Sequence, residues 1–363
     1  MQPRVTVRDL ALRAGVHFTT VSMALRNHPR IPEETRNRIK KLAAEMGYRP
    51  DAMLNALSSY RTSLRKPRFK ATLAWINSEA VPARSHPVVL FREYHEGARD
   101  RADSLGYGLE EIHLTEPGLT RDRVGSILKA RGIEGVLVAP LPRGQDSINL
   151  LPWEKLASVT FGYSLQHPPL HTVTASQYHA MRTILRELRA LGYRRIGYVS
   201  DREFERRCDG NWQAAFWVDA NEQPPARRVP PFICSDEIRD RKKLREWLHR
   251  HRPEVLVQAG IVGPWLRREL AALKLDVPGD IGLVSHDVAT GDKVNAGIDE
   301  KGRVTGAAAV DLLVAMINRQ EFGPPDNPHQ LLIEGRWVQG STVRRLRERG
   351  PAAGAASRPA AGS

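Results

Sequence analysis

The chain has 363 residues, of which 41% are hydrophobic and 26% are charged, so it is long enough for two or three folded domains. No apolar run approaches the roughly 20 residues that a membrane-spanning helix needs. Charged residues interrupt the first apolar stretches, so we expect no signal peptide and a cytoplasmic protein. The two cysteines, Cys208 and Cys234, are too few for a disulfide framework and lack partners at metal-ligand spacing. We therefore expect neither a metal site nor a cofactor.

The positive charge of the chain is concentrated at its N-terminal end. Residues 1–68 carry 14 Lys and Arg against 5 Asp and Glu. The difference, a net charge of +9, is most of the formal net charge of +14 of the whole chain. A local excess of this kind indicates a module that binds a polyanion rather than a generally basic surface.

The first 60 residues predict a group of short helices. Thr6 and Asp9 have the spacing of a capping box at the start of a first helix, and Gly15 allows a tight turn after it. The next helix is predicted at "FTTVSMAL", and a third begins near Pro32 and ends at Gly47. "DAMLNALSSYR" predicts a fourth, weaker helix, and "TSLRKPRFK" predicts a basic, extended linker.

From residue 71 onward, short apolar runs alternate with amphipathic stretches. Strands are predicted at "ATLAWI", "GLEEIHL", "IEGVLVAPL", "ASVTFGY", "RIGYVS", "RVPPFI", "VLVQAG" and "DIGLVSHD". Helices predicted between them give the strand–helix alternation of parallel α/β sheets. These strands and helices are too many for one small domain, so the sequence predicts two similar lobes. The C-terminal "PAAGAASRPAAGS" is low in complexity, and we expect it to be disordered.

Five stretches carry a resemblance that covers nearly the whole chain, from Val5 to about Arg344. They are, in order, "VTVRDLALRAGVHFTTVSMAL", "RIPEETRNRIKKLAAEMGYRPDA", "LGYRRIGYV", "VPGDIGLVSHD" and "LIEGRWVQGSTVR". The N-terminal block is highly specific, and the later ones are individually modest. On these residues the chain resembles the lactose and galactose repressor (LacI/GalR) family of bacterial transcription regulators.

The resemblance implies an all-α helix-turn-helix head with a hinge helix, joined to a two-lobed α/β effector domain like a periplasmic binding protein. The implied boundaries are 1–60 for the head, with the hinge at about 50–60, 61–70 for the linker, 71–345 for the effector and dimerisation domain, and 346–363 for the tail. It also implies a homodimer associated with the bacterial nucleoid. Such a dimer binds a near-palindromic double-stranded DNA operator, and a small metabolite, such as a sugar, controls its affinity.

The second predicted helix carries the side chains that reading a major groove requires. Exposed residues near the N-terminus of such a helix meet the base edges, and short hydroxyl side chains can bond a phosphate or a base. Read with the resemblance, the predicted DNA-binding residues are Thr6, His17, Phe18, Thr19, Thr20, Ser22, Met23, Arg26, Asn27, His28, Arg30, Tyr48 and Asn55. The alternative interpretation is a three-helix bundle that binds no nucleic acid.

Leu57 completes the predicted DNA-binding set, in the segment "RPDAMLNAL". The resemblance implies that a leucine from each subunit enters the minor groove here, where such a wedge unstacks a base step and bends the duplex. A segment this short is marginal alone and is expected to form fully only on DNA. The alternative is that Leu57 is a buried residue of the head.

The resemblance also places an effector site between the lobes. Arg207 precedes Gly210 by the implied spacing, and Asp287 ends the predicted strand in "LVSHD", where open α/β sheets bind ligands. The full predicted set is Arg207, Asp287, Phe91, Trp212, Gln258 and Ser176. A structural ion pair or solvated charge is the alternative for Arg207 and Asp287. Trp75 and Trp265 are possible stacking residues that core packing explains equally well.

Several positions depart from the family pattern. Met23 stands where an arginine is usual, His17 replaces a Ser or Thr cap, and "MLNAL" lacks an arginine of the hinge. Ser176 replaces an aspartate, Asn211 replaces an aromatic residue, and "VQAGIV" lacks an Asn-Asp pair. The head changes bear on the operator sequence, and the pocket changes leave open a non-sugar ligand or none.

Other function classes lack their sequence signatures. The chain has no G-x-G-x-x-G, G-x-x-x-x-G-K-[ST], G-x-S-x-G or H-E-x-x-H motif, so an enzyme is not expected. A secreted solute-binding protein would need a signal peptide and no basic head. A non-specific architectural DNA-binding protein would need no large cleft domain.

Overall fold

In a computed structural model, the chain is described at residues 5–25, 31–48, 69–235 and 237–346. It divides into two units, Met1–Arg68 and Phe69–Ser363. The predicted hinge helix, residues 61–68 of the predicted linker and residues 347–363 of the predicted tail lie outside the described residues. Within the described parts, no helix is long and apolar enough to cross a membrane.

The first unit is helical, as the sequence predicts. Its helices are α1 (Val7–Ala14), α2 (Phe18–Leu25) and α3 (Glu33–Glu45). They share a small core of Leu10, Ala11, Val21, Ala24, Ile39 and Ala43. The three helices present these residues at helical spacing, so one face of each is buried.

The predicted capping box at the start of α1 is confirmed. The hydroxyl of Thr6 accepts a hydrogen bond from the backbone N–H of Asp9 at 3.3 Å, and the Asp9 carboxylate accepts one from the backbone N–H of Thr6 at 2.8 Å. Gly15 ends the helix at a φ of 66°, in the left-handed region that favours glycine. The turn that leads into α2 therefore follows from local sequence.

The second unit contains two six-stranded sheets, which define two lobes. The first lobe holds β1 (Ala71–Asn77), β2 (Tyr107–His113), β3 (Gly135–Val138), β4 (Ala157–Phe161), β5 (His171–Ala175) and β11 (Gln330–Ile333). Its strand order is β11-β5-β4-β3-β1-β2, and all pairs are parallel.

The second lobe repeats this order. It holds β6 (Ile196–Asp201), β7 (Phe232–Cys234), β8 (Val255–Gln258), β9 (Gly282–Ser285), β10 (Ala296–Asp299) and β12 (Arg336–Val338). The order is β12-β10-β9-β8-β6-β7, and only the β10–β12 pair is antiparallel. The repeat confirms the prediction of two similar α/β lobes.

Eight α-helices belong to the described part of the second unit. They are α4 (Val89–Leu105), α5 (Arg121–Ala130), α6 (Gln177–Ala190), α7 (Arg202–Arg207), α8 (Asn211–Glu222), α9 (Glu237–His251), α10 (Val262–Ala272) and α11 (Gly302–Arg319). Each lobe has apolar clusters on its sheet, with helices covering them.

The chain crosses between the lobes three times. After β5 of the first lobe, α6 packs on the sheet of the second lobe, where Met181 and Ile184 are buried beside Tyr198. After β10 of the second lobe, α11 returns to the first, where Leu313 packs with Leu73. The third crossing joins β11 to β12. Because of these crossings, neither lobe is made from one continuous segment.

Helix α11 packs closely against α4, and two glycines allow it. A Cβ on Gly97 would lie 2.0 Å from the carbonyl oxygen of Arg303, and one on Gly306 would lie 2.1 Å from that of Tyr94. No side chain fits at either position without moving a backbone. The close approach fixes α4, which carries aromatic residues of the site described below.

Some elements differ from the sequence-based expectation. The strand predicted at "RVPPFI" begins only at Phe232, because two prolines precede it and cannot donate ladder hydrogen bonds. The strands β5, β10, β11 and β12 and the short helix α7 were not predicted. These strands are three to five residues long, and too few side chains alternate to give a period.

Candidate DNA-binding helix and inter-lobe cavity

Helix α2 exposes its first residues and buries its opposite side. His17, Phe18 and Thr19 are exposed, whereas Val21 and Ala24 are buried in the core of the first unit. Phe18 keeps 46% of its surface exposed, which is unusual for an aromatic side chain in so small a unit. The arrangement places a row of accessible side chains along the start of a short helix.

His17 stands at the start of α2 and organises its first turn. Its backbone carbonyl accepts a hydrogen bond from the N–H of Thr20 at 2.9 Å. Its ring Nδ1 lies 2.8 Å from the hydroxyl of Thr19, and the ring centroid is 4.3 Å from that of Phe18. The imidazole therefore stands where a hydroxyl cap is usual and orients two neighbouring exposed side chains.

The other predicted DNA-binding residues have different surroundings. Thr20, Ser22 and Met23 are partly buried on α2, and Tyr48 is partly buried against the helical core. Thr6 is exposed, but its hydroxyl belongs to the capping box. Outside the described residues lie Arg26, Asn27, His28, Arg30, Asn55 and Leu57. The structure brings together the α2 subset of the prediction.

A cavity of about 370 Å³ lies between the lobes of the second unit. It opens at the carboxyl ends of the parallel strands, which is where open α/β sheets bind ligands. From the first lobe it is lined by residues that follow β1, β3 and β4, such as Glu79, Leu141 and Tyr163. From the second lobe it is lined by residues that follow β6, β9 and β10, such as Phe204 and Asp287.

Four of the six predicted effector residues line this cavity: Phe91, Arg207, Trp212 and Asp287. The other two lie elsewhere. Ser176 is buried ahead of α6, where its backbone N–H donates to the carbonyl of Ile333 at 2.8 Å. Gln258 is buried at the end of β8, with its amide nitrogen 3.2 Å from the position that a Cβ on Gly263 would take.

The tryptophan side chains likewise divide into one that lines the cavity and two that do not. Trp212 is fully buried by surrounding protein and still borders the cavity, whereas Trp75 and Trp265 belong to the cores of the two lobes. The core interpretation therefore holds for Trp75 and Trp265. Trp212 packs edge-on against His286, with ring centroids 5.7 Å apart.

Aromatic rings form much of the cavity wall. In the first lobe Tyr94 stacks on Phe161, with centroids 4.9 Å apart, and Phe91 stacks on Tyr94 at 6.2 Å. In the second lobe Phe204 meets His286 edge-on at 4.8 Å. Burial lowers the pKa of His286 to about 4, so its ring is neutral near pH 7.

Two carboxyl groups line the cavity at the ends of neighbouring strands. Asp287 follows β9 and Glu300 follows β10, which pair in parallel. Burial raises the pKa of Asp287 to about 7, and the nearby charge of Glu93 acts in the same direction. Burial and the charge of Asp287 raise the pKa of Glu300 well above its usual value. Glu300 was not among the predicted residues, because "IDEK" has the composition of a solvated turn.

Three contacts join the lobes beside the cavity. A guanidinium nitrogen of Arg143, in the first lobe, lies 2.5 Å from a carboxylate oxygen of Asp201, in the second. The backbone N–H of Gly144 donates to Glu203 at 3.1 Å, and Arg207 donates to the carbonyl of Pro142 at 3.2 Å. This clasp, made of Arg143–Asp201, Gly144–Glu203 and Pro142–Arg207, holds the loop after β3 against α7.

The described residues contain no group of three or more His, Cys, Asp or Glu side chains that could hold a metal ion. The cavity therefore offers aromatic faces, two carboxyl groups and the guanidinium of Arg207. These groups can bind a small organic molecule that touches both lobes.

Comparisons with known proteins match both units. The model of bacterial regulatory proteins of the lacI family matches residues 6–51, and that of the periplasmic binding protein-like domain matches residues 185–343. The chain is 28% identical to the HTH-type transcriptional regulator DegA of Bacillus subtilis over 155 residues, 43% of this chain and 41% of DegA. It is 23% identical to the HTH-type transcriptional regulator KdgR of Bacillus subtilis over 295 residues, 78% of this chain and 81% of KdgR.

Among solved structures, the lac repressor dimer bound to operator and an anti-inducer has the same fold. The TM-score is 0.54 at 18% sequence identity, and the match covers 94% of this chain and 100% of the repressor chain. A helix-turn-helix unit and a two-lobed α/β unit with a cleft together define a DNA-binding regulator of transcription. Residues 6–51 match the lacI family of bacterial regulatory proteins, residues 185–343 match the periplasmic binding protein-like domain, and the matched relatives DegA and KdgR are transcriptional regulators.

Proposed function

We propose that this protein binds a near-palindromic DNA operator as a homodimer, represses transcription there, and changes its DNA affinity when a small molecule occupies the inter-lobe cavity. The observation that carries the proposal is the cavity itself, which is lined by both lobes in a chain that also has a LacI-type DNA-binding unit. A ligand that touches both lobes has different contacts when the lobes change their angle. It therefore shifts the balance between two conformations.

The DNA side of the proposal rests on α2. A major groove accepts one α-helix, and the side chains at its N-terminal end meet the base edges. His17, Phe18 and Thr19 are the accessible side chains at that end. The excess of Lys and Arg in residues 1–68 favours the phosphate backbone of DNA as the partner.

The ligand side rests on how the lobes are joined. Three chain crossings permit a change of angle between the lobes without breaking either sheet. The clasp through Arg143 and Asp201 is a contact that such a change would make or break. In the lac repressor structure, a dimer holds both an operator and an anti-inducer, and this precedent supports the same coupling here.

The second candidate is a LacI-type regulator with a diverged pocket, which responds to a non-sugar ligand or to none. Ser176 and Gln258 do not line the cavity, and this favours the second candidate, because both were expected to supply polar contacts to an effector. The sugar ligand stays a prediction from family resemblance.

Selection of binding sites from random DNA with the full chain tests the proposal. We expect enrichment of a near-palindromic sequence, bound more tightly than a scrambled sequence at the same salt concentration. Thr19→Ala should weaken the enriched site selectively, whereas Glu45→Gln, on α3, should leave the preference unchanged. Equal affinity for the enriched and scrambled sequences would contradict a specific regulator. Light scattering of the complex then measures whether two chains occupy one site.

A further inference from the structure

We infer that the ligand of the inter-lobe cavity is an organic cation, a protonated amine carried on an apolar or aromatic body, and not a neutral sugar. This inference rests on the proposed function, because it names the class of ligand to which the regulator responds. It is carried by two unpaired carboxyl groups, on Asp287 and Glu300, that share a cavity with aromatic side chains.

The two carboxyl groups lack partners within the described part of the chain. Glu300 is only 4% exposed and borders the cavity, and no hydrogen bond or ion pair engages its side chain among the described residues. The side chain of Asp287 has no such partner there either. Buried carboxyl groups are normally hydrogen-bonded or paired, since desolvation without compensation is costly. The carboxyl oxygens of Asp287 and Glu300 are therefore hydrogen-bond acceptors that no donor of the described residues satisfies.

The neighbouring cations bind other acids. The ammonium of Lys301 lies 2.6 Å from a carboxylate oxygen of Asp299. Arg303 pairs with Glu96 and Asp100 on α4. None of these cations neutralises the two acids of the cavity, so a positive charge brought by the ligand would have no competitor there.

Arg207 does not cancel the two acids. Its described hydrogen bond goes to the carbonyl of Pro142, and no ion pair joins it to Asp287 or Glu300 among the described residues. Its remaining N–H groups can bind a hydroxyl or carboxylate of the ligand. The cavity thus fits a molecule with an ammonium group and, at a separate position, a hydrogen-bond acceptor.

The rest of the wall favours an apolar body over a hydroxyl-rich one. Tyr94 and Phe161 present stacked rings, and cations and apolar groups both bind aromatic faces. Two of the polar lining groups already have partners: the Ser164 hydroxyl accepts from the N–H of Leu141 at 2.9 Å, and Glu79 lies 3.1 Å from His86. Trp212 and Gln177 also line the cavity, and the indole N–H of Trp212 and the amide oxygen of Gln177 have no hydrogen-bond partner among the described residues. The amide oxygen is a further acceptor for an ammonium group, and the indole N–H can donate to the acceptor of the ligand.

The charges around the two acids favour the same conclusion. The titratable and charged groups that act on them are Glu93 and Tyr94 from α4, Cys208 after α7, and Asp299 with its partner Lys301 from the second lobe. Burial raises the pKa of Asp287 to about 7, and a bound ammonium would lower it again. Binding of a cation therefore releases protons, and its affinity should rise with pH up to about 7, by up to tenfold per pH unit for each proton released.

The test uses matched probes and the full chain. Isothermal titration compares tryptamine with tryptophol and glucosamine with glucose, each pair being an amine and its neutral counterpart. We expect at least one amine to bind about tenfold or more tightly than its counterpart, with an affinity that rises with pH. The measured heat should depend on the ionisation enthalpy of the buffer, because the buffer takes up the released protons. Glu300→Gln should remove most of the preference for the amine, and it should do so by weakening the binding of the amine rather than by changing the affinity for the neutral probe. Glu154→Gln removes a surface charge that pairs with Arg121 and should have no effect.

Urea unfolding of Glu300→Gln checks that it folds, and Asp287→Asn provides a second variant. Three results would overturn the inference: equal or tighter binding of the neutral probe in both pairs, an amine preference that survives both substitutions, or binding of none of the amines. The operator selection is done both without ligand and with each amine, and failure under every condition would contradict the proposed function. Operator selection that succeeds while the amines show no preference would contradict this inference alone.

Discussion

Arg143 and Asp201 form an ion pair across the two lobes, with 2.5 Å between guanidinium nitrogen and carboxylate oxygen. Asp201 also accepts from the backbone N–H groups of Phe204 at 2.9 Å and Ile261 at 3.1 Å. The carboxylate is therefore fixed within the second lobe, and Arg143 is the partner that the first lobe contributes. This pair links the loop after β3 to the start of α7, beside the cavity.

Replacing Arg143 with Met should favour separation of the lobes. Asp201 keeps its two backbone donors, so the loss is one partly exposed ion pair, worth about 1 kcal/mol or less. We expect a shift of at most about fivefold toward the open conformation. Fluorescence energy transfer between dyes on the two lobes measures this shift with and without ligand.

Arg121→Met is the matched control, because Arg121 pairs with Glu154 within the first lobe at 2.8 Å and takes no part in the clasp. It should leave the distance between the dyes unchanged. If Arg143→Met and Arg121→Met behave alike, the ion pair between Arg143 and Asp201 does not restrain the lobes.

Gly306→Ala should destabilise the second unit. The added Cβ would lie 2.1 Å from the carbonyl oxygen of Tyr94, so α11 must move away from α4. Overpacking of this kind costs about 1–3 kcal/mol, and more where a backbone cannot shift. Urea unfolding measures the change in the free energy of unfolding.

Gly125→Ala is the control with the opposite sign. Gly125 lies within α5, and a Cβ there would be 3.6 Å from a carbon of Pro152, which is ordinary contact. Alanine in a helix interior should stabilise by about 0.5–1 kcal/mol. Stabilisation by Gly306→Ala would show that the two helices are less tightly packed than described.

Stability near neutral pH should depend on Asp287. Burial raises the pKa of its carboxyl group from 3.8 to about 7. Folding therefore favours the protonated form, and the contribution of this group is fully present below about pH 4 and is lost as pH rises to about 7. An asparagine side chain does not titrate, so Asp287→Asn does not lose this contribution as pH rises. The free energy of unfolding of the variant minus that of the unaltered protein should therefore increase between about pH 5 and 7, by up to about 1.4 kcal/mol per pH unit.

His286 acts in the opposite direction. Burial lowers its pKa from 6.5 to about 4, so its contribution to stability is lost as pH falls from 6.5 to about 4. In the unaltered protein, the pH dependences of stability that come from Asp287 and His286 partly cancel. The informative quantity is therefore the difference in the free energy of unfolding between each variant and the unaltered protein. Urea unfolding at several pH values should give His286→Gln the slope opposite to that of Asp287→Asn. Parallel profiles for the two variants would contradict the burial of both groups.

Met23→Arg should change how the protein reads DNA. Met23 is partly buried on α2, two residues beyond the buried Val21. An arginine there can reach a guanine, worth about 1–3 kcal/mol of discrimination, or a phosphate, which steepens the dependence of affinity on salt by about one counterion. Binding-site selection at two salt concentrations distinguishes these outcomes.

Ala44→Arg adds the same charge at an exposed position of α3 and serves as the control. It should alter general affinity without altering the preferred sequence. If Met23→Arg changes neither preference nor affinity, position 23 faces away from the groove.

The parts of this structure that the sequence predicted are those with local causes. The bond between Thr6 and Asp9 spans three residues, and Gly15 needs only its own backbone freedom. Long helices and buried strands give strong periods, which is why the two-lobed α/β class could be inferred. The strand β10 has four residues, two of them Ala296 and Gly297, and its place in the sheet comes from pairing with β9 and β12.

The residues of the cavity also divide into those that were predicted and those that were missed. Arg207 and Asp287 were predicted from the family resemblance, and both line the cavity. Ser176 and Gln258 were identified in the same way, but they lie outside it, because the direction of a side chain at a strand end depends on the helix that follows. Glu300 was missed, since an acidic residue in a turn is usually solvated. Only the return of α11 to the first lobe buries it against the cavity.

The sequence alone therefore determined the class of each unit, because capping, turn formation and hydrophobic periodicity act over a few residues. The tertiary structure decided which side chains share the cavity and which acids lack partners there. That decision depends on three crossings between lobes and on contacts such as Arg143 with Asp201, which join residues 58 positions apart. Burial sets the charge of Asp287 and Glu300, and burial is a property of the assembled lobes.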